Sequence, residues 1–246
     1  MPVQYLPASY VICVVQHVNN LQPFSLSRKT VPMRTALMTL TALVAVATIS
    51  TATSIPGAAG GAKKYTLNNA VGKNAIEFVS DAPMEKITGN ADGVEGTFML
   101  DAANLEATSG TITVKVLTMK TANSKRDEHM YDAMWLDANK YPTINFDVKS
   151  LKDVKVTAKD GRSVVTATAV GSFTCHGVTK PSTATISITY LPESAETKKR
   201  ASGNLAMIEA SFTVGLADHS ITGKAGVVGR SVGETIAVKA KLFSNS

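Results

Sequence analysis

Residues 125–146 read KRDEHMYDAMWLDANKYPTINF, and the pattern changes partway along. Ser124 is placed to cap a helix, with Asp127 three residues on completing the capping pattern. Met130, Ala133 and Met134 then recur at helical spacing. Pro142 predicts the end of that helix, which is expected over residues 125–139. From Ile144 the period drops to two, with Ile144, Phe146 and Val148 alternating against Asn145 and Asp147. A short capped helix running into an alternating strand reads as a lid feeding a sheet.

The same alternation recurs along the chain. Ile112, Val114 and Val116 share one face, as do Ile186, Ile188 and Tyr190, and again Ile236, Val238, Ala240 and Leu242. Further strands are expected in residues 65–79, 96–100, 154–158, 163–174 and 205–214, with Asp160-Gly161 as a hairpin turn. The predicted class is all-β, with about eight antiparallel strands. An up-and-down barrel of that size closes its own edges and holds one small ligand, although alternation alone equally permits a two-sheet sandwich. The polar run PESAETKKRASG, residues 192–203, is expected as a solvated excursion between strands.

Residues 1–62 read as targeting rather than fold. Met33-Arg34 opens a basic segment, residues 36–49 are apolar but too short to span a bilayer, and small residues follow to Ala62. The simplest account starts the protein at Met33, with residues 1–32 as an upstream extension and residues 33–62 as signal peptide and cleavage region, and the rival reading is one unusually long leader. Cleavage after Ala52 or after Ala59 fits the small-residue rule, with Ser50 or Gly57 as partner. The expected location is therefore periplasmic or secreted, with no transmembrane span in the mature chain. About 180 residues, 63–246, remain for one domain.

Beyond Ala62 there are 22 Lys and Arg against 19 Asp and Glu, a formal charge of +3. With no basic stripe interleaved with aromatics, nucleic acid is not an expected partner. Cys13 falls in the leader and leaves Cys175 alone, so the mature domain stands on packing rather than on a disulfide.

Two enzyme-like patterns fail on order and spacing. Gly229-Arg230-Ser231-Val232-Gly233 matches a hydrolase nucleophile elbow, but that elbow needs a helix after it and an acid and a histidine later in the chain. Here a strand follows and neither Asp nor His lies beyond Ser231, so the glycines are expected to shape a turn. Among zinc-ligand types, Cys175 and His176 are adjacent, and Asp127 and His129 diverge on a helix. Only His129, His176 and His219 remain as a site to be assembled by the fold. No metal, cofactor or catalytic residue is expected.

The order of KRDEHM, KYP-x-I-x-F, HGVTKP and residues 217–242 (ADHSITGKAGVVGRSVGETIAVKAKL) resembles the YceI-like family, lipid- or polyisoprenoid-binding proteins of the bacterial envelope. The resemblance covers residues 65–243. It implies a lipocalin-like barrel around an apolar channel and a binding module rather than an enzyme, carrying a polyisoprenoid, quinone or similar amphipathic lipid. A homodimer is compatible with it. The matching motif residues are Lys125, Arg126, Asp127, His129, Tyr141, Pro142, Phe146, His176, Gly177, Thr179, Lys180 and Pro181. The chain departs from the family pattern at residues 69–77, which lack a His-Ser pair, and at ADHSI, which replaces Asp-Phe-Gly.

From the residues themselves, Lys125 and Arg126 occupy a helix's first turn, where the dipole disfavours cations by about 0.3–1 kcal/mol and attracts anions, an arrangement that suits an anionic head group. The plainer reading is a solvated turn balanced by Asp127 and Glu128. Met130, Met134 and Trp135 suit either pocket lining or packing, and Ile144 and Phe146 either line a cavity or fill a core. The expected ligand-binding set is Lys125, Arg126, His129, Met130, Met134, Trp135, Ile144, Phe146 and His176.

Overall fold

In the computed structural model, which describes residues 52–246, alternating segments fold as antiparallel strands with one short α-helix. Strands β1 (Ala62–Leu67), β2 (Ala75–Asp81), β3 (Lys86–Ala91), β4 (Val94–Asp101), β5 (Asn104–Lys115) and β6 (Met119–Lys120) precede α1 (Ser124–Tyr131). Strands β7 (Thr143–Lys159), β8 (Arg162–Cys175), β9 (Val178–Leu191), β10 (Leu205–Gly215) and β11 (Thr235–Asn245) follow it. Neighbours run β1-β4-β5-β7-β8-β9-β10-β11, and the Thr66–Asn245 and Leu67–Ser244 pairs close this ring of eight into a barrel. The sandwich alternative is thereby excluded. Strands β2, β3 and β6 extend the sheet from the first half of β11, where Ile236 pairs with Ser80 and Lys241 with Ala75. No helix among the described residues is long and apolar enough to cross a membrane.

Two hairpins share one turn chemistry. Asp160 and Gly161 have φ of 52° and 71°, and His176 and Gly177 have φ of 50° and 73°. Positive φ at both central residues is the twist-matched two-residue hairpin turn, which glycine at the second position makes accessible. The first was expected from the sequence. The second gives the His-Gly of HGVTKP a backbone role.

Where the strands differ from expectation, local polar chemistry is the cause. Residues 65–79 were expected as one strand but split after Leu67, because Asn68 Oδ1 accepts from the Ala70 N–H at 2.8 Å and Asn69 Oδ1 from that of Asn74 at 2.9 Å. Residues 144–148 and 154–158 belong to one strand, β7, whose register against β8 shifts between Val148 and Ser150 and between Lys152 and Lys155. Such bulges put alternation out of phase. Val116 leaves the β5 face for a 3-10 turn, Val116–Thr118.

Helix α1 is also shorter than expected. Asn123, not Ser124, is the N-cap, its side chain accepting from the Arg126 N–H at 3.1 Å, and the helix stops at Tyr131, well before Pro142. Residues 132–141 form successive turns, including Trp135 N–H to Asp132 O at 2.9 Å and Tyr141 N–H to Asp137 O at 2.8 Å. The Trp135 ring packs on Gly223, leaving no room for a Cβ there, while the Gly223 N–H donates to Met134 O. Tertiary docking overrides the helical spacing of Met130, Ala133 and Met134.

One half of the barrel is filled and the other hollow. At the filled end Tyr65, Leu100, Leu105 and Val165 are almost wholly buried, and Tyr65 stacks on Phe98 with centroids 5.1 Å apart. Toward the other end the inward residues Ile208, Ala210, Phe212, Ile236 and Val238 are only half-buried, because they border open space.

Candidate functional site

The open space is a cavity of about 1090 Å³, at the upper limit of the 300–1,000 Å³ usual for small-molecule sites. Its wall is built by alternation: side chains from β2, β5, β7, β8, β9, β10 and β11 point inward, and almost all are aliphatic or aromatic. Small residues make the room. Ala169, Ala184, Ala210 and Ala240 all line it, at inward positions where larger aliphatics would take up the space, while Gly110 beside them leaves room for Phe98 of β4. Phe146, Phe173 and Phe212 meet edge-on or tilted, with centroids 5.3–6.3 Å apart, as one aromatic patch of the wall.

Thr108 borders the cavity with a buried hydroxyl that has no hydrogen-bond partner among the described residues. Cys175 also borders it, and burial pushes its thiol up to about 12, only partly opposed by the His176 backbone N–H. A thiol held protonated is a wall residue, not a nucleophile.

At the open end the cavity is bordered by α1, by the turns after it and by the β10–β11 connection. Lys125, Arg126, His129, Met130, Met134, Trp135, Ile144 and Phe146 all line it. His176 does not. It sits in the β8–β9 turn, its Nδ1 3.2 Å from His219 O and its ring edge-on to Tyr141, whose ring covers Gly177. His219 in turn is buried, its Nδ1 3.0 Å from Val178 O. The KYP, HGVTKP and ADHSI blocks thus meet in a packed cluster beside the cavity. His176 is therefore a turn residue outside the cavity lining, whereas the sequence had placed it with the ligand-binding set.

The two cations of α1 have different surroundings. Arg126 donates to Glu85, to Thr121 Oγ1 at 2.9 Å and to Thr121 O at 3.1 Å, so its charge and donors are engaged. Lys125 has no carboxylate within 4.0 Å among the described residues, and the same holds for Lys224 across the mouth. Neither Asp127 nor Glu128 balances Arg126. Accordingly Arg126→Ala is expected to destabilise by about 1–2 kcal/mol, the exposed part of the pair discounted, and Lys125→Ala by less than about 0.5 kcal/mol. Urea melts of the two variants check this, and equal midpoints would show that the Arg126 contacts contribute nothing.

Residues 229–233 form a tight turn, with the Gly229 N–H donating to Val232 O at 2.7 Å and the Gly233 N–H to Ser80 Oγ at 2.8 Å. Strand β11 follows, so Ser231 stands on no strand-to-helix elbow. Among the described residues no group of three His, Cys, Asp or Glu side chains is arranged to hold a metal ion.

Glu85, Lys224, the inward small residues and the aromatics Phe173 and Phe212 were not singled out from sequence. The small residues had a signal: Ala or Gly at inward positions on several strands is the trace of a hollow interior. Glu85 and Lys224 had none, since both lie in loops brought to the mouth by the fold.

A closed antiparallel barrel with an apolar interior cavity and a charged mouth belongs to the lipocalin-like class of binding barrels. A family model for the YceI-like domain matches residues 65–243, and the chain belongs to the YceI-like family. Among solved structures, Burkholderia cenocepacia BcnA superposes with a TM-score of 0.54 at 16% identity, covering 72% of this chain and 98% of that one. A Saccharophagus degradans polyisoprenoid binding domain gives 0.50 at 16% identity, covering 74% and 98%. A UPF0312 protein of Pseudomonas fluorescens is 35% identical over 107 residues, 44% of this chain and 52% of that relative. One from Pseudomonas putida is 31% identical over 137 residues, 56% and 65%. The matches thus span about half to two thirds of the curated relatives.

Proposed function

We propose that this YceI-like barrel is an exported binding protein that sequesters or carries an amphipathic polyisoprenoid, a quinone or polyprenyl species. The prenyl chain occupies the cavity and the head group lies at the mouth beside Lys125, His129 and Lys224. The observation that carries this reading is the cavity itself, about 1090 Å³ with an almost wholly apolar wall. Each methylene moved from water into it contributes about 0.8 kcal/mol, so an enclosed prenyl segment offsets the ordering cost of binding. Cations without carboxylate partners at the mouth add selectivity for a polar or anionic head. The relative described as a polyisoprenoid binding domain supports the ligand class, and the apolar leader at residues 36–49 supports export. A filled barrel acting only by surface contacts is disfavoured by the same cavity.

Native mass spectrometry of the exported protein, followed by lipid extraction, tests the reading. One prenyl lipid per chain is the expected result. A protein that leaves the cell unloaded and gains no prenyl lipid from added polyprenyl phosphate or quinone would overturn it.

A further inference from the structure

Residues before β1 do not hang free. The Thr53 N–H donates to both carboxylate oxygens of Glu106, at 3.1 and 3.0 Å. Thr53 O accepts from the Leu105 N–H at 3.0 Å, and the Ile55 N–H donates to Ala102 O at 2.7 Å. Ile55 is 3% exposed and packs with Tyr65, Leu100 and Leu105 at the filled end of the barrel. Ala52, one residue earlier, is exposed.

We propose that the leader is removed between Ala52 and Thr53, so that the mature chain begins at Thr53 with its α-amine seated on Glu106. The inference rests on the export reading above. Water hydrolyses the Ala52–Thr53 peptide bond: the Ala52 carboxylate leaves with the leader, and Thr53 keeps the nitrogen as a protonated amine. Ser50 and Ala52 supply the small side chains that leader peptidases require. The rival cut after Ala59 also satisfies that rule but discards the segment from Thr53 to Ala59 that packs on the barrel. It would remove Ile55 from the core and leave the N–H of Leu105, a residue with no exposed surface, without its acceptor. A discarded leader has no reason to complete the hydrogen bonds of the mature barrel. Cleavage at Thr53 instead turns an amide donor into a cation facing a carboxylate, a charge-assisted contact that forms only on maturation. Desolvation acts against the Glu106 carboxylate, yet hydrogen bonds from Thr53 and from its own backbone together hold its carboxyl below the ordinary value.

The full chain, expressed with its own leader in an export-competent bacterial host, is purified from the periplasm and analysed by intact mass and N-terminal sequencing. A first residue of Thr53 is expected. A first residue of Gly60, or an exported chain that keeps its leader, overturns the proposal and leaves export standing. An uncut cytoplasmic chain overturns both. Ile55→Ala provides a second readout on the exported protein, with an expected fall in Tm of about 5–15 °C. If residue 55 were lost with the leader, that substitution would leave the mature protein's Tm unchanged. Glu106→Gln is expected to raise the rate at which the α-amine is reductively methylated several-fold, and an unchanged rate would show that the amine does not sit on the carboxylate.

Discussion

Ala210→Trp is expected to yield a folded barrel that binds lipid on the order of a hundredfold more weakly. Ala210 lies on β10 opposite Ile186 of β9 and Ala240 of β11, and its side chain borders the cavity. An indole there occupies space a prenyl chain would use. Excluding three or four methylenes at about 0.8 kcal/mol each lowers binding by about 2–3 kcal/mol, on the order of a hundredfold in affinity. Stability should hold or rise, because the new ring fills a void instead of displacing packed atoms. The control lies on the same strand face: Ala206 is 1% exposed in the filled end, where an added ring forces its neighbours apart at a cost of about 1–3 kcal/mol or more. Thermal melts and lipid extraction of both variants separate hollow from filled. Should Ala210→Trp unfold the protein as Ala206→Trp does, the cavity is not a binding space.

The strands were legible because their signal is local, whereas the choice of barrel over sandwich rested on the family resemblance. Period-two alternation in residues 163–174 and 235–242 specifies which side chains face inward, and Asp160-Gly161 specifies a hairpin turn, so most strands follow from short windows. Closure was not legible. The Thr66–Asn245 pairing joins residues from opposite ends of the domain, and no window contains both. Strand β3 was missed because only Ile87 and Ala91 of its residues are buried, too thin a pattern to alternate.

Which residues border the cavity was partly legible, and how the charges at its mouth are paired was not. Eight of the nine expected residues line the cavity, since inward strand residues and the segment around α1 reach it wherever the helix ends. His176 lies outside the lining, which the sequence could not show, because a polar residue at a strand end looks the same whether it borders a cavity or occupies the first position of a tight turn. Its positive φ and its contacts with Tyr141 and His219 O exist only in the fold. Lys125 and Arg126 looked equivalent for the same reason. Glu85, which separates them, comes from the β2–β3 turn.

Asp127→Ala is expected to cost about 2–4 kcal/mol and to loosen α1 from the mouth of the cavity. Asp127 is 5% exposed, and its Oδ1 accepts from both the N–H and the hydroxyl of Thr121, each at 2.7 Å. Thr121 Oγ1 in turn accepts from Arg126 Nε, and Arg126 reaches Glu85, so one chain of hydrogen bonds ties α1 to the residue that follows β6 and to the β2–β3 turn. An eight-residue helix has little stability of its own, and these contacts hold it in place. Alanine leaves the buried Thr121 N–H without an acceptor, at about 1–3 kcal/mol, and removes a charged acceptor besides. A fall in Tm of about 5–15 °C follows, together with faster amide exchange concentrated in residues 124–131. Asp127→Asn keeps an acceptor oxygen in place and should lose about half as much. Loosening α1 at the mouth should also speed lipid release, measured as transfer of a fluorescent prenyl lipid to acceptor vesicles. A variant that melts and exchanges like the wild type would show Asp127 to be an ordinary surface carboxylate, and α1 to be held by something other than this chain of hydrogen bonds.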